Sequence, residues 1–395
     1  MASGTLHGLP TEILHHIFNY CDSKTVFLSV RYVCKRLKAV TELSNRVELN
    51  EKYETRDDSQ SIRRLIHPST IHSLTVLDDT FYWGSTSRED ISFINIQKFS
   101  QLRSLTFRGI DAEKLKSLLP SLEMHLLNSL SIIIDGWNSD ILLTLFMLAV
   151  LHLNPRRLFL KSNETMTNFS FSVIDCKLEY LRINKCDQLG FVSILRQFPS
   201  LQACVIDEYK MNTGNKLVPS LVDLSLSSRL KSLTIKNYSL PVKILALLLT
   251  LTPSLVYLSL KSETDTFDRI FDGLYWEELI SSKLRSLETF EFFFLYRVSK
   301  DAHFLDIDPS ISSFQSKFWL NEKNWIVKCA YIIGSSEFWL YTNKFRIERY
   351  KDSSECEISS MDDVWRFSER SSDQTDATTK SEVRPSEIRR VLPCE

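Results

Sequence analysis

LRSLTF at residues 102–107, LNSLSI at 127–132 and LKSLTI at 230–235 are copies of one pattern, LxxLxL, and its recurrence decides the fold. Further copies, some with conservative changes, start at Ile71 (IHSLTV), Leu178 (LEYLRI), Leu201 (LQACVI), Leu255 (LVYLSL) and Leu284 (LRSLETF), with a weaker one, PRRLFL, at Pro155. Successive starts are 31, 25, 28, 23, 23, 29, 25 and 29 residues apart. Between them lie helical or turn segments, among them AEKLKSLL (112–119), ILLTLFMLAVLHL (141–153), GFVSILRQF (190–198) and VKILALLLTL (242–251). A short strand followed by a helix, repeated in tandem, buries its apolar side only by stacking on the next copy. The expected product is an α/β chain built on a curved solenoid, with a parallel sheet inside the curve and helices outside. LVDLSL at Leu221 begins only nine residues before Leu230, too soon for a full repeat, and reads as a descending turn or a truncated copy.

Irregular steps of this size resemble those of leucine-rich repeats. In such a strand the leucines point into the core, and positions three, five and seven face the inside of the curve. Those positions place Arg108, Arg157, Phe159, Lys161, Tyr180, Arg182, Lys236, Tyr257 and Lys261 on one surface. Arginine holds an anion bidentately while an aromatic ring buries an apolar neighbour, so this band suits a protein substrate that is acidic or phosphorylated. The alternative is a row of solvated cations that keeps an exposed sheet soluble.

Upstream, LPTEILHHIFNYCDSKTVFLSVRYVCKRL spans Leu9 to Leu37. Pro10 suits the first turn of a helix, where its missing N–H leaves no bond unmade. Ile13, Leu14, Ile17, Phe18 and Cys21 recur at spacings of three and four, which places them on one broad side of that helix. Asp22 or Ser23 can end it and cap a second helix from about Lys24 to Val30, and Tyr32, Val33 and Leu37 mark a third. Three short helices bury little surface, so the unit either packs on its neighbour or offers an apolar face to a partner.

This stretch resembles the F-box, through Leu9, Pro10, Glu12, Ile13, Leu14, Ile17, Phe18, Tyr20 and the closing Val33-Cys34-Lys35-Arg36. Cys21 stands where a Leu is usual, and Leu37 where a Trp is frequent. The resemblance implies docking on a Skp-type adaptor bound to a cullin, in an SCF ubiquitin ligase, with Leu9, Pro10, Ile13, Leu14, Ile17, Phe18, Tyr20, Val33 and Leu37 as the adaptor-binding residues. The alternative is a helical cap on the solenoid, in a leucine-rich-repeat interaction scaffold unconnected with ubiquitination.

The organisation that follows is an F-box-like helical domain over 1–49, a polar linker over 50–61 (NEKYETRDDSQS), the repeats over 62–290, a β-rich C-terminal cap over 291–350 and a disordered tail over 351–395. From about Phe290 the repeat fails. FEFFFLYRV and KFWLNEKNWIVKCAYIIGSSEFWLYTNKFRI suggest antiparallel strands around the turn-like residues Gly334-Ser335-Ser336. Trp319, Trp325, Phe338 and Trp339 are expected to cover the last apolar layer. The tail holds 12 Ser or Thr and many charges but few aliphatic residues.

At 395 residues, 43% hydrophobic and 25% charged, the composition is globular. The longest apolar run, Ile141 to Leu153, is 13 residues and is interrupted by Thr144 and His152. That is shorter than the roughly 20 needed to cross a bilayer, so no membrane partner is expected. The opening MASGTLHGLP has neither a basic patch nor an apolar core, so no secretory signal is expected. Eight scattered Cys without a CxxC fit reduced thiols in the cytoplasm or nucleus. The net charge of −1 does not point to nucleic acid. Nine Gly form no GxGxxG or GxxxxGK, and HExxH, GxSxG and His/Cys clusters are missing. Asp78-Asp79 and Asp362-Asp363 are neighbours whose side chains point apart, and read as solvated loop charges. No metal, no cofactor and no catalysis by the chain itself are expected.

Overall fold

The leucines of the repeated pattern enter the core, and within each compact unit the strands they define lie side by side in chain order. The computed structural model describes residues 6–18, 20–43, 46–50, 65, 67–77, 96–134, 139–167, 169, 176–210, 229–238, 242–297, 312–332 and 337–342. The chain forms two compact units, 1–202 and 203–395. The boundary falls inside the stretch of repeats that the sequence reads as one body. Residues 51–61 of the linker, Asp78-Asp79, LVDLSL at 221–226, the turn at 334–336 and the tail lie outside the described residues.

In the first unit, β1 (Arg46–Asn50), β2 (Ser73–Leu77), β3 (Ser104–Arg108), β4 (Ser129–Ile133), β5 (Arg157–Lys161) and β6 (Tyr180–Cys186) are all parallel, each paired with the next. Positions four and six are buried in every copy: Leu105 and Phe107, Leu130 and Ile132, Leu158 and Leu160, Leu181 and Ile183. The alternation follows from the period of two along a strand. A backbone fork repeats beside it. The carbonyl of His72 accepts from both Arg103 N and Ser104 N, that of Arg103 from Asn128 N and Ser129 N, and that of Arg156 from Glu179 N and Tyr180 N, all at 2.8–3.0 Å. β1 was not expected from the sequence, which assigns its residues to the helical domain and the linker; Val47 is fully buried.

The helices α4 (Ala112–Leu118), α5 (Ser139–Leu148) and α6 (Gln188–Gln197) lie between or after these strands. Asp111 caps α4, accepting from Glu113 N and Lys114 N, and Asp187 caps α6, accepting from Gly190 N at 2.7 Å. α5 runs into a wide turn, Ala149–Leu153, that ends at Asn154 with φ of 42°. The Asn154 side chain accepts from Lys177 N at 2.8 Å. Asn tolerates this left-handed backbone better than most residues, and the turn delivers Pro155 to the head of β5. At Gly190 a Cβ would sit 2.2 Å from the carbonyl oxygen of Met166, so only glycine allows that approach.

At the N-terminus α1 (Thr11–Phe18), a wide helical turn (Thr25–Val30), α2 (Arg31–Val33) and α3 (Lys35–Glu42) form the helical unit. Of the two caps that the sequence offers for the second helical segment, Asp22 is used: it accepts from Thr25 N at 2.7 Å and from the Thr25 hydroxyl at 2.8 Å. Burial pushes its carboxyl up, but the two Thr25 bonds, a bond from its own backbone and nearby Lys24 outweigh this and hold it below the usual carboxylate range. The Cys34 sulfur accepts from Leu37 N at the start of α3, and Arg36 donates to the Leu9 carbonyl at 2.6 Å, tying the first turn to the last helix.

In the second unit the sheet order is β7 (Ala203–Tyr209), β8 (Ser232–Tyr238), β9 (Tyr257–Thr264), β10 (Thr289–Arg297), β12 (Glu337–Thr342), β11 (Val327–Ile332), with α7 (Val242–Thr250) and α8 (Gly273–Lys283) between strands. β7 to β10 are parallel; β12 pairs antiparallel with β10 and with β11. Cys204 takes a leucine position in β7, and full burial pushes its thiol up to about 12. β10 corrects two expectations. Phe290 and Phe292 pair with Leu258 and Leu260, so the parallel pairing runs on to Tyr296 and the final copy reads LETFEF from Leu287, three residues after Leu284. Part of the expected antiparallel stretch is helical, since Phe318–Glu322 forms a wide turn.

An aromatic core fills this end. Trp276 lies 4.9 Å from Phe290 and 6.0 Å from Phe294, and Trp319 lies 5.7 Å from Trp325. Each of the three indoles donates to a backbone carbonyl, Trp276 to Ile270, Trp319 to Gly273 and Trp325 to Glu288, so the packing leaves none of these three N–H groups without a partner. Trp319, Trp325 and Phe338 are buried, whereas Trp339 is half-buried against Phe293, Leu295 and Tyr341 on the opposite sheet face.

Candidate functional site

Among the described residues eleven large apolar side chains are exposed, and six of them belong to the helical unit: Leu6, Ile13, Tyr20, Tyr32, Val33 and Leu43. The unit thus leaves uncovered what a folded domain ordinarily hides. Ile13 is 45% exposed, Val33 66% and Tyr20 81%, with Tyr20 edge-on to His16 at 5.3 Å. Pro10 is exposed, and Leu9 and Ile17 are half-buried.

Leu14 at 0%, Phe18 at 6% and Leu37 at 1% stand apart from these, because they form the unit's own core with Val26, Phe27 and Val40. Three of the nine residues expected to dock on an adaptor are thus packed inside the unit and do not face solvent. A smaller aliphatic residue at position 37, where the resemblance expects Trp, fits inside this core.

The outer sheet positions divide between the two units. In the first, Arg108, Arg157 and Lys161 are exposed and form no ion pair with another described residue, while Phe159, Tyr180 and Arg182 are half-buried. Register pairs Arg157 with Tyr180 and Phe159 with Arg182, and the Arg182 guanidinium lies over the Phe159 ring, 5.0 Å from its centre. In the second unit the expected band is already occupied. Lys236 pairs with Asp207 at 3.6 Å, and the Tyr257 hydroxyl donates to Glu291 at 2.7 Å. Burial, then the Glu291 bond, pushes the Tyr257 phenol up to about 12. Lys261 is half-buried and in register with Phe293. Arg297, which the sequence reading passed over, bonds Glu263 and lies 3.9 Å from Glu337. The paired acids sit on neighbouring strands, so a repeat-by-repeat list of cations could not find them.

No group of three or more His, Cys, Asp or Glu among the described residues is placed to hold a metal, and no described helix is long and apolar enough to cross a membrane. The six described Cys form no disulfide.

Residues 6–46 match the F-box-like family model. The match ends at the first residue of β1 and covers the helices that expose Ile13, Tyr20 and Val33. A search of curated proteins finds no match to the chain. The F-box-like domain is the part of the chain that comparison with known families explains; the sheet units are described by their own geometry alone.

Proposed function

We propose that the chain is the substrate-recognition subunit of an SCF-type cullin-RING ubiquitin ligase. The F-box-like domain docks on a Skp-type adaptor through Pro10, Ile13, Tyr20 and Val33, with Leu9 and Ile17 at the margin. The repeated sheet units, read as leucine-rich repeats, hold a protein substrate. The chain supplies proximity and not catalysis: a substrate held beside a charged conjugating enzyme meets it at high effective concentration. The observation that carries this reading is the gathering of exposed apolar side chains on the segment that matches the F-box-like model.

Co-purification tests it. Adaptor and cullin are expected to accompany the intact chain and to be lost with Ile13→Asp combined with Val33→Asp. Both residues are exposed, so the change strikes a docking face and not a core.

A second reading has its own support. α3 leads within three residues into β1, and Phe27, Arg31 and Thr41 line a cavity of about 280 Å³ together with Leu65, His67 and Ile71. Helices that share a cavity with the segment leading into β2 are what a cap in an interaction scaffold would present. Recovery of no adaptor with the intact chain favours the scaffold.

A further inference from the structure

Positions three, five and seven of β2 to β6 carry four cations, six Ser or Thr, and no carboxylate. An exposed sheet kept soluble by charge ordinarily mixes the two signs, as the outer positions of β7 to β10 do through Asp207, Lys236, Lys261 and Glu291. The first unit departs from that mixture on a surface where hydroxyls already supply polarity.

The cations are spread along the face and do not stand at one point. Arg108 and Lys161 are in register through Ile133, two strands apart, which is about 10 Å. Arg157 and Lys161 stand four residues apart on β5, about 13 Å. These are backbone spacings, and side chains extended outward from them cover a strip of the face longer than one anion. An extended chain whose same-side residues repeat every 6.6 Å or so can meet them in turn. From β3 to β6 there are three strand spacings, roughly 14 Å, which an extended peptide covers in about four or five residues. The half-buried rings of Phe159 and Tyr180 lie between the charges and offer contact for an apolar residue of the same peptide.

We propose that this face of the first unit binds an extended carboxylate-rich segment of a partner protein, with Arg108, Arg157, Lys161 and Arg182 as the anion-reading residues. It rests on the receptor reading, in which the partner is the substrate.

Fluorescence anisotropy on the full chain bound to its adaptor provides the test. The probes are a labelled peptide of about eight residues rich in Asp and Glu with one Leu, its Asn/Gln counterpart, a counterpart carrying one phosphoserine in place of the acids, and a single-stranded oligonucleotide of equal charge. The acidic peptide is expected to bind saturably and at least about tenfold more tightly than the other three, and to weaken as salt shortens the screening length from about 10 Å at 0.1 M to about 3 Å at 1 M. Arg108→Glu/Arg157→Glu/Lys161→Glu is expected to lower its affinity about tenfold or more, and Lys236→Glu less than about twofold.

Equal binding of the Asn/Gln peptide, preference for the phosphopeptide or oligonucleotide, or an unchanged affinity in the triple variant overturns the proposal. So does binding that emerges only after residues 352–395 are removed, since that stretch, with 11 acidic and 7 basic residues over 351–395, would then be the occupant. Circular dichroism and adaptor retention establish that the triple variant folds. Adaptor retention with lost peptide binding isolates this face, whereas peptide binding without any adaptor overturns the receptor reading and leaves the acidic-segment site standing.

Discussion

The two ends of the described chain meet the same problem in opposite ways. At the C-terminal end Trp276, Trp319 and Trp325 are all buried, and each indole N–H finds a carbonyl. At the N-terminal end Ile13, Tyr20, Tyr32 and Val33 stay in water above a core of only a few residues. One end covers its own apolar layer; the other leaves apolar side chains in solvent. Apolar exposure is informative here because the same chain also supplies the counterexample, a terminus with far more aromatic surface and almost none of it exposed.

The contrast is broken most forcefully at Trp276. Trp276→Ala is expected to destabilise the second unit by about 3–5 kcal/mol, read by chemical denaturation, because the cavity opens against Phe290 and Phe294. Next comes Gly273, where a Cβ would lie 2.6 Å from the backbone of Ser313. Gly273→Ala should cost about 1–3 kcal/mol by the same measurement and lower the thermal midpoint.

Smaller effects belong to the helical unit. Asp22→Ala removes the cap on Thr25 and should cost about 1 kcal/mol. Its folded carboxyl titrates below the unfolded value, so its contribution is complete above about pH 4 and is lost as pH falls through the folded value. The gap between native protein and Asp22→Ala, followed by denaturation across acid pH, should therefore close on acidification. Ile13→Asp is expected to change stability by no more than about 0.5 kcal/mol, since the side chain is already half in water. A loss as large as that of Trp276→Ala would make Ile13 a core residue and erase the contrast.

Much of this is legible in the sequence. The buried set of the sheet follows from LxxLxL position by position, because the period of a strand leaves no choice once the leucines are assigned. The last copy is ambiguous in the sequence because LRSLETFEF contains two starts, Leu284 and Leu287, and the residues that settle the register at 290 and 292 are phenylalanines and not leucines. In α1 the spacing gave a broad apolar side without saying which part turns inward; Leu14 and Phe18 pack, Ile13 does not. Ion pairs such as Lys236 with Asp207 depend on which strands are neighbours. β1 lacked signal because RVELN has one apolar pair and takes its place through pairing with β2.

The order of the first sheet has a mechanical corollary. Among the described residues of the first unit, the strands from β1 to β6 pair in chain order, with forks such as the His72 carbonyl with Arg103 N and Ser104 N between them. Under tension applied along the chain, load passes through one interface at a time, so β1 should peel first and extension should advance in steps of one repeat. Amide deuterium uptake should follow the same gradient, fastest at β1 and slowest at the interior strands β3 and β4.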